Sequence, residues 1–122
     1  MLAAVFPVPG SCEIVQREDP IPGEGEVLVR VRACGVCGTD VHIYRGQFPA
    51  RFPLIAGHEF SGIVHAIGSD VTSVQPGDRV TIDPNIPCGL CRPCRHGLTH
   101  LCRNLRAIGV DRDGGFATHC PC

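Results

Sequence analysis

The stretch Glu26-Val-Leu-Val-Arg-Val-Arg-Ala33 sets Val27, Val29, Val31 and Ala33 on one side and Arg30 and Arg32 on the other. A period of two marks a strand with one face buried and one face wet. Outward from it, Ser61–Gly68 (SGIVHAIG) and Asp78–Ile82 (DRVTI) are further short β-rich runs, punctuated by Gly62, Gly68 and Pro76-Gly77. Ser11–Arg17 is a weaker fourth strand, and Gly115–His119 (GFATH) reads as the start of another. Gly38–Tyr44 (GTDVHIY) has an interior free of Gly and Pro and predicts one or two helical turns, with Thr39 or Asp40 as the cap. Short strands and frequent turns predict a mainly β fold: a small, partly open barrel with short helices, the way an antiparallel sheet of this size hides its edges.

The chain has 122 residues, 43% of them hydrophobic, enough for one domain spanning 1–122 with a core of its own. A formal net charge of −1 with no basic run argues against nucleic acid or an anionic membrane as partner and leaves small molecules or protein. No run approaches the ~18 apolar residues of a membrane span, and Met1–Pro7 lacks the basic and apolar regions of a signal peptide, so a soluble, cytoplasmic chain is expected. Nine cysteines without a sign of export point to metal ligation in preference to disulfides.

Four of those cysteines, Cys88, Cys91, Cys94 and Cys102, follow C-x2-C-x2-C-x7-C inside a lobe of about residues 84–106 that is poor in apolar side chains. Four thiolates close a tetrahedral zinc site with no open position, which makes the metal structural, a substitute for a core. Arg92, Arg95 and Arg103 offset the charge of such a unit. An iron–sulfur run also begins C-x2-C-x2-C, but its fourth cysteine follows after three residues and precedes Pro, whereas here Arg103 follows Cys102. A nucleic-acid zinc finger would bring a recognition helix and excess positive charge, and neither is visible.

A second constellation joins Cys37, just past the alternating strand, to His58-Glu59. One thiolate, one imidazole and one carboxylate suit a zinc that keeps an open position for water or substrate. Asp40 is the candidate to orient the histidine from behind. The bland alternatives stay open: a buried inert thiol, an ordinary polar histidine, or a redox pair spelled by Cys34-Gly35-Val36-Cys37, although no βαβ unit surrounds it.

Taken together, GEGEVLVRVRACGVCGTDVHIYRGQFP, Gly57-His58-Glu59, Pro76-Gly77-Asp78-Arg79-Val80, the four-cysteine lobe and Gly114-Gly115-Phe116-Ala117 resemble the N-terminal GroES-like catalytic domain of zinc-dependent medium-chain alcohol dehydrogenases. The segment around Cys-Gly-Thr-Asp-Val-His is most similar to the polyol and threonine dehydrogenase branches. The resemblance implies Cys37 and His58 as ligands of a catalytic zinc, with Glu59 as a third ligand or a carboxylate that exchanges with water or substrate. It implies Thr39 as the hydroxyl that takes the substrate proton, His42 as the next relay member toward solvent, and Cys88, Cys91, Cys94 and Cys102 as structural zinc ligands. It implies oxidation of a secondary alcohol or polyol to a ketone, or the reverse, by a homo-oligomeric enzyme. NAD or NADP would sit on a Rossmann domain that this sequence does not show. No G-x-G-x-x-G occurs, and Gly109–Gly115 has the wrong spacing, so an N-terminal fragment of such an enzyme, inactive alone, is expected. The competing class is a non-catalytic, zinc-stabilised binding module of the same fold.

Overall fold

The computed structural model describes all 122 residues, Met1–Cys122. Nine strands follow in chain order: β1 (Leu2–Phe6), β2 (Glu13–Gln16), β3 (Val27–Gly35), β4 (Leu54–Ile55), β5 (Glu59–Ile67), β6 (Arg79–Thr81), β7 (Asn85–Ile86), β8 (Arg106–Ala107) and β9 (His119–Pro121). Two short helices, α1 (Gly38–Tyr44) and α2 (Arg92–Arg95), and a 3-10 turn at Thr99–Leu101 complete the set. The strands form a four-stranded sheet β6-β5-β3-β9, a three-stranded sheet β2-β1-β4 and a two-stranded ribbon β7-β8, every pairing antiparallel. The two larger sheets leave edges open, a partly open barrel. No helix is long and apolar enough to cross a membrane.

The alternating strand is central, with β5 on one side and β9 on the other. Val29 is fully buried, packed with Phe60, Ile108 and Cys120. Ala33, expected on that same inner face, is exposed instead. The register against β5 slips between Val31 and Ala33, so the extra residue Arg32 turns the rest of the strand over. Beyond the bulge the strand pairs on through Cys34 and Gly35 before the helix that follows it.

Three further corrections concern local order. The N-cap of α1 is Cys37, and Asp40, in the helix's first turn, bonds back to it; neither Thr39 nor Asp40 is the cap. The expected strand at Gly115–His119 begins only at His119, because the N–H groups of Gly115 and Phe116 are committed to Gly57 and Ala56. Strand β1, absent from the sequence reading, pairs with both β2 and β4. The four-cysteine lobe contains leucines, but Leu90, Leu98, Leu101 and Leu105 are all exposed and no residue of α2 or the 3-10 turn is buried, so they build no core. Asn85 opposite Ala107 and Ile86 opposite Arg106 form the stem on which the lobe stands.

Helix α1 is pinned at both faces. Ile43 is fully buried against Phe6, Leu54 and Ala56. Tyr44 stands edge-on to Phe6 at 5.6 Å between ring centroids, and its hydroxyl donates to the Gly10 carbonyl at 2.8 Å. Seven residues could not hold a helix alone in water; tertiary packing holds this one.

Candidate metal centres

The thiol of Cys37, the imidazole of His58 and the carboxylate of Glu59 converge, their ligand atoms all within 4.8 Å of one another. They come from different elements: Cys37 caps α1, His58 lies in the turn before β5, and Glu59 opens β5. What brings them together is Asp40. Its side chain is almost wholly buried, one oxygen accepting the Cys37 N–H at 2.8 Å and the other accepting the Gly57 N–H at 3.1 Å. A single carboxylate thus clamps the backbone on both sides of the site. The second oxygen also lies 3.4 Å from His58 Nδ1, a buried nitrogen with no properly aligned hydrogen-bond partner.

That orphaned nitrogen bears on whether a cation fits. A metal on the other ring nitrogen requires hydrogen on Nδ1, and the Asp40 carboxylate is the charged group beside that nitrogen. Sulfur, nitrogen and oxygen as three ligands leave a fourth position free, the composition of a working zinc site more than of a sealed one. A cleft of about 550 Å³ opens there, with Gly35, His58, Glu59, Ser61, Thr81 and Pro84 in its lining. The redox-pair alternative loses support: burial, then the charge of Asp40, push the Cys34 thiol up to about 11, opposite to what a reactive cysteine needs.

The turn before His58 depends on one residue without a side chain. Gly57 has φ +89°, in the left-handed region, and a Cβ there would stand 2.6 Å from Phe116 Cδ1 and 2.9 Å from Cys34 Sγ. Gly57→Ala is therefore expected to destabilise the fold by more than about 2 kcal/mol, from backbone strain and overpacking together. Urea unfolding checks this, and a shift within experimental error would show that the turn can relax.

The second centre is denser in sulfur. Cys88, Cys91, Cys94 and Cys102 place their sulfurs within 4.8 Å of one another, with Cys91 3.4 Å from Cys94 and 3.9 Å from Cys102. Zinc–sulfur bonds of about 2.3 Å at tetrahedral angles put sulfurs about 3.8 Å apart, so the cradle matches that ion. Backbone donors surround it: the N–H groups of Cys88 and Asn104 point at Cys102 Sγ, at 3.2 and 3.4 Å. N–H bonds from Cys91 and then Leu90 hold Cys88 down to about 6. Desolvation and the neighbouring thiols push Cys94 up to about 12. A dication held by this cluster would take all four as thiolates.

Thr39 and His42 lie one turn apart on α1, Thr39 half-buried and His42 exposed, and share no hydrogen bond. The sequence names Gly57 as a neighbour of His58 but gives it no part, which emerges only from contacts with Cys34 and Phe116.

Residues 23–122 match the alcohol dehydrogenase GroES-like domain. The chain belongs to that family. Within the GroES-like domain family, it is 44% identical over 120 residues to the starvation-sensing protein RspB of Escherichia coli K12, covering 98% of this chain and 35% of that protein. It is 52% identical over 94 residues to the D-altritol 5-dehydrogenase of Agrobacterium fabrum, covering 76% of this chain and 28% of that enzyme. A solved structure of a zinc-binding dehydrogenase from Sinorhizobium meliloti 1021 bound to NADP superposes with a TM-score of 0.94 at 48% identity, over 98% of this chain and 35% of that one. The chain thus spans about a third of the length of the relatives it matches.

Proposed function

We propose that this chain is the zinc-holding catalytic domain of an NAD(P)-linked alcohol or polyol dehydrogenase. The observation that carries the reading is the convergence of Cys37, His58 and Glu59 in front of the buried Asp40. Cys37 and His58 would hold a zinc that supplies Lewis-acid polarisation of a substrate oxygen, and NAD(P) on a separate domain would supply the hydride acceptor. Glu59, exposed at the cleft, is a third ligand or a carboxylate that gives way to water or substrate. Thr39 would take up the substrate's hydroxyl proton as its own hydroxyl proton leaves toward His42, which is open to water and would release a proton to solvent. Ser61 and Thr81 face each other across the β5–β6 register and line the same cleft, which suits a substrate with several hydroxyls. Cys88, Cys91, Cys94 and Cys102 hold the structural zinc. The complete enzyme would be a cytoplasmic homo-oligomer joined to a Rossmann domain.

Metal stoichiometry tests this. The reduced chain should carry two zinc ions, one held firmly and one released readily to a chelator. Cys37→Ser should remove the second alone, and a stoichiometry that stays at two would refute the assignment. Asp40→Asn, which loses the charge behind His58 and one of the two acceptors that clamp the backbone, should weaken the labile ion by about 10–100-fold in a chelator competition while the firm one is unaffected.

A further inference from the structure

Helix α1 ends in a turn that carries Gln47 back over His42. Gly46 has φ +69°; its N–H donates to the Ile43 carbonyl at 2.9 Å, and the Gln47 N–H donates to the His42 carbonyl at 2.8 Å. These are the two backbone bonds of a Schellman stop, in which the residue after the glycine meets the helix residue five positions before it, commonly through an apolar contact. Here that pair is Gln47 and His42, and the contact is polar: Gln47 Oε1 lies 3.1 Å from His42 Nδ1.

An amide oxygen only accepts hydrogen bonds, so the hydrogen between these atoms belongs to Nδ1, and a neutral imidazole protonated there has its lone pair on Nε2. We propose that Gln47 is a positioning residue that holds His42 in the Nδ1–H tautomer and so makes Nε2 its proton acceptor. For a proton relay this choice matters, because the bond made by one ring nitrogen decides what the other can do. The backbone supplies the placement: Gly46 aims the chain, and the side chain of Gln47 needs no other element to reach His42. The functional meaning rests on His42 as a relay member, but the tautomer itself does not depend on that reading.

The test is long-range 1H–15N spectroscopy of the uniformly 15N-labelled, zinc-loaded chain at a pH where the imidazole is neutral. His42 Nε2 is expected at the unprotonated position and Nδ1 at the protonated one, with a bias of up to about tenfold from one net hydrogen bond. Gln47→Glu, which keeps an acceptor, should preserve this pattern. Gln47→Leu should lose it in favour of Nε2–H, with an unchanged melting temperature showing that the turn still folds. A wild-type His42 that is mainly Nε2–H, or the same tautomer in Gln47→Leu, would overturn the proposal. So would a reversal in Gln47→Glu, the sign of an amide that donates to a bare Nδ1. Failure of the metal titration above would sink the dehydrogenase reading and leave these spectra as they are.

Discussion

Replacing Cys91 with Ser is expected to unfold the lobe between Ile86 and Arg106 and to cost the chain its firmly bound zinc. Cys91 is the hub of the cluster, with its sulfur next to both Cys94 and Cys102 and its backbone capping α2. No residue of that segment is buried. Its leucines face solvent and none of its helical residues is buried. On the proposed reading, the free energy of a structural zinc, roughly 10–16 kcal/mol in small zinc-dependent folds, would stand in place of a core. The sheets do not share this dependence, since Val29, Phe60, Ile108 and Cys120 pack with Ile86 of the stem but with no residue from 87 to 105. Hydrogen exchange should therefore show protection lost from 88 to 105 and kept in β3 and β5, with zinc content falling by one equivalent. Loss of protection throughout the sheets would contradict this independence.

The second large effect concerns turnover. In a complete dehydrogenase carrying this domain, Thr39→Ala should lower kcat by about 10²–10⁴-fold, the usual contribution of a positioned proton acceptor. Zinc content should be unchanged, because Thr39 is no part of either ligand group. Thr39→Ser should recover most of the rate, whereas the loss of a mere helix-forming side chain would leave kcat near normal in both variants. His42→Ala should cost less and be partly rescued by small buffer bases, because the exposed imidazole would stand at the solvent end of the proposed path.

Both groups of candidate ligands that the fold brings together were legible in the sequence, one through its local spacing and the other through its mixed donor set. The four cysteines sit within fifteen positions, so their spacing alone carries a cradle for one ion. The bounds of α1 can be read from the run Gly38–Tyr44, and β3 from its alternation until the bulge at Arg32 inverts it. The rest was hidden for physical reasons. Leu2–Phe6 is apolar without alternation, and only its pairing with partners on both sides makes it a strand. Leu54–Ile55 is too short to carry a period. The turn that presents His58 is shaped by a segment nearly sixty residues later: Asp113 accepts the Ile55 N–H at 2.9 Å and Gly115 donates to the Gly57 carbonyl at 2.7 Å. No window of sequence contains both halves of that contact.

The two-residue stem of the four-cysteine lobe makes that lobe separable. Ile86 and Arg106 face each other as neighbours across an antiparallel ribbon, so the main chain enters and leaves the lobe at one place. A tight turn of two residues closes such a ribbon as a hairpin. Excising residues 87–105 in favour of an Asn-Gly turn would leave both larger sheets, α1 and the Cys37–His58–Glu59 group with every residue they now use. The lobe is thus an interchangeable part, free to be lengthened, replaced or lost without redesign of the chemistry beside it.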